Sequence, residues 1–410
     1  MRVLLVNAFH WLKGGVERTY FDESRWLAAA GHEVSHFATA DPRNAPSPTA
    51  RFFPPGVDFS EAGSPLAQLA ALPHAMWSAR AADALAALVA EHRPDVAHLH
   101  APSRHLTPSI FAPLQRAGVP VVMTLHDFKP WCTNRLLYAH GEICERCRGG
   151  HHWRAVATGC VQGSRAKSAV AAFEAYLHDA WRAYASVRTW IAPSRFVYDK
   201  ALTFDVPEQR LRVLSHGVEA MPAASSPETA VLVASLPARY ALFAGRLSVE
   251  KGVRLLPDIA RAIAPDVLVV CGDGPLGAWL DQQALPNVRR AGHVDDGTLA
   301  ALRARAAVVV APSLFVEHFG YSVAEALLDR RPVVAARIGA LPELVEHEVT
   351  GLVAEPGDGT TLGAHAKRAL TDTAAAAAWG EAGRARVLAM SAPAAHLNGL
   401  LAIYEEAMHA

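Results

Sequence analysis

The chain has 410 residues, more than one ordinary core accommodates, and its 51% hydrophobic and 19% charged residues describe a folded protein of about two domains. Thirty-nine Lys and Arg balance 39 Asp and Glu, so no global field draws the chain to nucleic acid or to an acidic membrane. The opening "MRVLLVNAFHWLKGG" reads as a first buried strand rather than a signal peptide, and no apolar stretch is expected to reach the roughly 18 residues that span a bilayer. The expected location is therefore cytoplasmic, with peripheral membrane contact left open.

In chain order, strands are predicted at "VLLVNAF", "EVSHFAT", "DVAHLHA", "VVMTLHD", "TWIAPS" and "RVLSHGV". Between the first two, "VERTYFDESRWLAAAG" has the pattern of a helix, closed by Gly31 where a C-terminus favours glycine. Periodic apolar residues then give way to Pro, Ser and Ala over "EAMPAASSPETA", Glu219 to Ala230, which marks a boundary. A second strand series follows: "YALFAGR", "VLVVCGD", "VRRAGHV", "AVVVAPS" and "PVVAARI". Near-continuous Val, Leu and Ile runs separated by helices indicate parallel strands buried on both faces. The expected fold class is thus α/β, two doubly wound, Rossmann-like parallel-sheet domains facing each other across a cleft. The domains are placed at residues 1–219, with a Cys-rich insertion at 130–162, and 220–390. Residues 391–410 are expected as a further helix packing back toward the first domain.

In such sheets ligands bind beyond the carboxyl ends of the strands, so the loops there hold the candidate residues. In "PSLFVEHFGYSVAEALLDRRPVV", Gly320 is expected to end a loop and Tyr321 to Asp329 to form a helix. The amides of Gly320, Tyr321 and Ser322 would then form an anion site, and Glu325, one turn in, could accept from a ribose diol. Glu317 precedes the helix. "FAGRLSVEKGV" puts Arg246 and Lys251 just past a strand, where a guanidinium fork and an ammonium can neutralise a diphosphate. Gly272 and Gly274 in "GDGP" allow close backbone approach, and His293 and Val294 in "GHVDDG" belong to a loop shaping base and sugar choice. In the first domain Gly14 and Gly15 lie between the first strand and helix, outside any G-x-G-x-x-G pattern, and His126 with Asp127 ends a strand where a histidine can orient a hydroxyl. Taken singly, each feature also suits an ordinary surface: solvated glutamates, cations paired with Glu250, or a histidine satisfied by its own loop.

Taken together, "GGVERTYFDESRWLAAAGHEV", "AGRLSVEKGV", "CGDGP" and above all "PSLFVEHFGYSVAEALLDRRPVVAARIGALPELVEHEVTGLV" resemble the retaining glycosyltransferases of family 4, which have the GT-B fold. The match runs in order from about residue 2 to residue 354, and its E-x7-E pattern falls on Glu317 and Glu325. The resemblance implies a nucleotide-diphosphate-sugar donor, with uridine or guanosine as the base, held mainly by the second domain. Glu325 would meet the ribose, Arg246 and Lys251 the diphosphate, and Glu317 and His126 the transferred sugar. The Gly14–Gly15 loop would approach the phosphate or the acceptor. It implies no metal or other cofactor for catalysis and an acceptor hydroxyl on a glycan, a glycolipid or a small molecule. His216 stands where members of the family often have Asn. The rivals are an epimerase or a phosphorylase of similar architecture, a glycosidase using the two glutamates, and a non-catalytic nucleotide-sugar binder.

Cys132, Cys144, Cys147 and Cys160 follow the spacing C-x11-C-x2-C-x12-C. A C-x2-C knuckle with outlying thiols suits a structural tetrahedral zinc; reduced loop cysteines and a disulfide are the alternatives, the latter disfavoured by a cytoplasmic location. Cys271, inside "LVVCG", is expected in the core.

Overall fold

The computed structural model describes residues 1–56, 76–223 and 226–409. In its first half the strands are β1 (Arg2–Val6), β2 (Glu33–Phe37), β3 (Val96–Leu99), β4 (Val121–Thr124), the hairpin strands β5 (Tyr138–Ala139) and β6 (Glu142–Ile143), β7 (Val187–Ala192) and β8 (Leu211–Val213). Apart from the antiparallel hairpin they form one parallel sheet in the order β2-β1-β3-β4-β7-β8. The second half contributes β9 (Tyr240–Ala244), β10 (Val267–Cys271), β11 (Val288–Gly292), β12 (Val308–Ala311), β13 (Val333–Ala336) and β14 (Gly351–Ala354), again parallel, in the order β11-β10-β9-β12-β13-β14. Each predicted run thus contains a strand. The sequence reading missed β14 and the hairpin. "GLVA" is only four residues long, starts on glycine and lacks the flanking punctuation that marked the others; the hairpin strands are two residues each.

The strands form because runs of Val, Leu and Ala are stiff or small at the β-carbon and are covered on both faces. Val3 to Val6, Leu268 to Val270 and Val333 to Ala336 are all fully buried. Two compact units result: Met1–Leu137, Cys144–Gly217 and Ala394–Ala410 make one, Tyr138–Ile143 and Val218–Pro393 the other. In the first, Val3, Leu5, Val96, Val122 and Ile191 pack with Tyr20 and Leu27 of the Gly15–Ala29 helix and with Leu400, Ile403 and Tyr404 of the last helix, Pro393–His409. In the second, Ala241, Leu268, Val308 and Val334 pack with Ile259 and Ile263 of the Leu256–Ile263 helix and with Leu362, Ala366 and Leu370 of Gly359–Thr371. The linker read from "EAMPAASSPETA" begins one residue after Val218, where the second unit starts; residues 224 and 225 within it lie outside the described residues.

Strand order reverses between β1 and β3 in the first sheet and between β9 and β12 in the second. Ligands of open parallel sheets bind outside the carboxyl ends of strands at such a reversal. The candidate residues cluster at both places.

The expectation that no stretch is long and apolar enough to span a bilayer needs correcting. The helical stretch Thr373–His409 meets that test by length and composition, with a window of mean hydropathy 1.3. Alanines raise that mean without adding large apolar surface, and Pro393 divides the stretch into helices Thr373–Ser391 and Pro393–His409. Trp379 and Val387 of the first and Leu400 and Tyr404 of the second are buried in their units.

Candidate functional site

In the second unit the loops that leave β9, β10 and β12 are laced into one surface. Leu247 N–H donates to Asp273 O across the first two, at 2.9 Å, and Leu276 N–H returns to Leu247 O at 2.9 Å. Leu314 N–H, after β12, donates to Glu250 O at 2.8 Å. Gly252 makes the crossing feasible: its φ is +73°, and a Cβ there would lie 1.8 Å from Pro312 O, so only glycine fits. Gly272 N–H donates to Gly292 O at 2.7 Å, which brings the His293–Val294 loop alongside the Gly272–Gly274 turn. The loops that carry Arg246, Lys251, Gly272, Gly274, His293 and Val294 therefore lie along one carboxyl edge.

Lys251 does not stand alone there. Its Nζ donates to Glu317 Oε1 at 2.7 Å, Ser313 Oγ donates to the same oxygen at 2.7 Å, and the ammonium sits 4.8 Å from the Phe315 ring centroid. The cation is thereby held at the β9–β12 reversal before any ligand arrives. Arg246 is exposed on the same loop. The half-buried His318 is pushed down to about 3 by burial and by Lys251, so it adds no charge near neutrality.

The helix Tyr321–Leu328 begins where expected. Gly320 is its N-cap at φ 94°, and no side chain caps the first turn. A Cβ on Gly320 would meet Leu341 Cδ2 at 2.6 Å. Backbone N–H groups and the positive end of the helix thus begin three residues after Glu317, the partner of Lys251. Glu325 departs from its expectation in one respect. Its carboxylate, expected to accept from a ribose diol, already has a partner within the protein: Arg303, from the Asp296–Arg305 helix, donates to Glu325 Oε2 at 2.9 Å and to Asp329 Oδ2 at 2.5 Å. The i,i+4 pair Glu325 and Asp329 on one helix face was the signal for that buried cation.

In the first unit the β1–β3 reversal carries Asn7, whose Nδ2 donates to Glu17 Oε1 at 3.1 Å and whose Oδ1 accepts from Ala101 N–H at 3.2 Å. Gly14, in extended backbone, is the N-cap of the first helix, and Gly14 and Gly15 are exposed. Glu17 is buried, and burial raises its pKa.

Beside it lies a buried cluster that the sequence reading found only in part. His126 Nε2 is 3.0 Å from His100 Nδ1, and the His126 and His216 rings stack at 5.1 Å and 12°. His98 and His100 share a face of the strand end, and both approach Glu23 Oε2, at 3.2 and 3.4 Å. Glu23 Oε1 is 3.0 Å from His396 Nε2. The ligand atoms of Glu23, His98 and His100 lie within 4.8 Å of one another, close enough for a metal. However, both His98 nitrogens have partners, Tyr404 Oη at 2.8 Å and Thr124 Oγ1 at 2.7 Å, so the group is better described as a proton network. The i,i+2 histidines of "DVAHLHA" were the legible signal, since alternate strand residues face one way. Glu23 and His396, 373 residues apart, gave none.

The network makes the first unit acid-sensitive. Burial pushes His10 and His98 down to about 4 and, together with His216 and His100, depresses His126 well below its ordinary value. The unfolded chain, with histidines near 6.5, then binds more protons than the folded one between roughly pH 6.5 and 4, so stability falls as pH falls. Each such histidine contributes on the order of 1.4 kcal/mol per pH unit in that window. His396 opposes them: Glu23 raises its pKa, so its contribution is complete below about pH 6.5 and is lost as pH rises through the folded value. The urea midpoint of the first unfolding transition should drop between pH 6.5 and 5; a midpoint constant over that range would contradict buried neutral histidines.

Cys132, Cys144, Cys147 and Cys160 are free thiols lining one cavity of about 10 Å³, and Cys271 is buried in β10 as expected.

Known proteins resemble this chain in sequence and in fold. Residues 13–220 match the family model described as Glycosyltransferase Family 4, and residues 238–372 the model described as Glycosyl transferases group 1. A protein described as glycogen synthase from Mycobacterium tuberculosis is 29% identical over 94% of this chain and 90% of its own length. The O-antigen chain mannosyltransferase B of Escherichia coli is 33% identical over 37% of this chain and 41% of its own. Among solved structures, sucrose-phosphate synthase from Thermosynechococcus elongatus superposes with a TM-score of 0.68 at 21% identity, over 99% of this chain and 98% of that one. Anabaena Alr3699/HepE in complex with UDP and glucose gives 0.67 at 19% identity, over 99% and 100%.

Proposed function

Because this chain belongs to glycosyltransferase family 4, with two Rossmann-like units of the GT-B class and a nucleotide-sugar donor, we propose that it transfers a sugar from a uridine or guanosine diphosphate sugar to a hydroxyl acceptor with retention of anomeric configuration. The observation that carries the reading is the Lys251–Glu317–Ser313 contact at the β9–β12 reversal, beside Arg246 and an uncapped helix start. Breaking an anomeric C–O bond leaves negative charge on the departing diphosphate and positive charge on the sugar. Lys251, Arg246 and the amides of Gly320, Tyr321 and Ser322 would hold the diphosphate; Glu317 would keep the ammonium aimed and lie beside the sugar. Groups fixed in advance stabilise the developing charge without reorganising as it forms.

Glu325 is assigned to the ribose hydroxyls, with Arg303 fixing its carboxylate. The turn at Gly272 and Gly274 and the loop at His293 and Val294 border the base. His126 is assigned to the transferred sugar as a neutral imidazole, consistent with its depressed pKa. In the step itself the C–O bond to the diphosphate breaks, the acceptor oxygen attacks from the same face, and a leaving phosphate oxygen takes the acceptor proton. No metal or other cofactor is invoked, and the acceptor is a glycan, a glycolipid or a small molecule.

A panel of UDP- and GDP-sugars tests the donor. The correct one raises the unfolding free energy by about 2.7 kcal/mol at a hundred times its Kd. Failure of every member to shift the melting temperature would remove the donor assignment. The anomeric coupling constant of the product, read by NMR, tests retention separately: an inverted product overturns the same-face mechanism while leaving the donor site intact.

A further inference from the structure

The proposed transfer step uses none of the four cysteines after His126, yet the fold gathers them. Cys132 ends the turn in which Trp131 and Cys132 N–H both donate to Phe128 O, at 3.0 and 2.7 Å. Cys144 directly follows β6, and Cys147 caps the one-turn helix Arg148–Gly150. Cys160 follows the six-residue helix Trp153–Thr158, past Gly159 in the left-handed conformation. All four side chains line the same cavity, closed on its apolar side by Trp131, Leu137 and Phe204. The one carboxylate in that lining, Glu145, is taken by Lys200.

We propose that Cys132, Cys144, Cys147 and Cys160 form a structural zinc site that staples the segment following His126. Two further observations support the assignment. First, polar groups already meet the sulfurs inside that cavity: Cys132 Sγ donates to Asn134 Oδ1 at 3.0 Å and Thr133 Oγ1 lies 3.6 Å from Cys160 Sγ, the kind of outer contact that orients a metal's ligands. Second, the segment has little regular structure of its own. Its regular structure is a hairpin of two-residue strands, one turn of 3-10 helix and a six-residue helix, and Arg135, Leu137, His140 and Gln162 are all non-glycine residues at positive φ. Such strain persists only where surroundings enforce it, and a two-stranded hairpin is marginal alone. Four thiolates can close a tetrahedron on zinc and contribute folding free energy through the metal. The four side chains share one cavity lining but not a preformed tetrahedron, since no three of their sulfurs lie within 4.8 Å of one another.

The full chain, purified anaerobically without a metal-binding tag, should contain one equivalent of zinc by elemental analysis. Its titratable thiols should rise by four when unfolding in excess chelator removes the ion, and growth with cobalt should give the visible bands of tetrahedral cobalt–thiolate. Cys147→Ser should lose the metal, and the wild-type zinc content and cobalt spectrum keep the proposal falsifiable where that variant does not fold. Metal-free wild type with all cysteines titratable and no cobalt bands would overturn the proposal, as would iron in place of zinc, or full zinc retained in Cys147→Ser. None of these readouts depends on glycosyl transfer.

Discussion

Lys251→Ala should lower kcat by roughly a hundred- to a thousand-fold, the loss seen when one preorganised charge-stabilising donor is removed, while KM changes little. The asymmetry follows from when the charge appears. A donor diphosphate in the ground state already shares its charge with Arg246 and the helix amides, whereas the extra negative charge of the leaving group develops only as the C–O bond opens. An interaction that strengthens in the transition state moves kcat rather than KM. The fold should survive. Lys251 is about a third exposed and its partner Glu317 keeps Ser313, so an ion pair of this kind contributes at most about 1 kcal/mol. Lys251→Arg should restore only part of the rate, because a planar fork cannot replace a point charge held against Phe315 and Glu317. Wild-type kcat in the alanine variant, with unchanged melting, would remove Lys251 from the reaction.

The experiment also separates Glu317 as partner from Glu317 as participant. If its task is to aim Lys251, Glu317→Gln keeps the hydrogen bond and loses less than Lys251→Ala. If its charge acts on the sugar, the two losses are comparable.

The second unit was legible in the sequence because its chemistry is local. Arg246 with Lys251 and Glu317 with Glu325 each lie within one loop or one loop–helix junction, and the parallel sheet brings the loops to one edge without needing distant side chains. The first unit was legible in its strands but not in its network. His126 stood out at a strand end, whereas Glu23 belongs to the middle of a helix with an ordinary amphipathic pattern and His396 to a helix at the other end of the chain. Only packing of the first and last helices on one sheet joins them. Arg303 was missed for a related reason: one arginine on a polar-looking helix gives no sign that it is 4% exposed and holds two carboxylates.

Glu23→Gln should be among the most destabilising single changes in the chain, and more so in mild acid than in base. Glu23 is 1% exposed and meets three histidines; His98 and His100 at its second oxygen hold its pKa well below the usual range despite burial. Glutamine keeps the shape and removes the charge. Below about pH 6.5 the wild type holds His396 protonated against Glu23, and the variant must either bury that cation unpaired or release its proton. Losing one member of a buried pair costs about 3–5 kcal/mol. Well above pH 6.5, once His396 is neutral in the variant, the remaining loss is that of imperfectly satisfied hydrogen bonds, about 1–3 kcal/mol. The difference between variant and wild type should therefore widen as pH falls from 8 to 5.5 and level off toward the carboxylate range, where Glu23 of the unfolded wild type also takes up a proton. A double-mutant cycle with His396→Gln isolates the pair, with an expected coupling above 1 kcal/mol at pH 5.5. A loss that is the same at both pH values, or a coupling near zero, would show that the carboxylate serves as a packing group. In that case the link from Glu23 through His100 to His126 would carry no electrostatic influence on the transfer step.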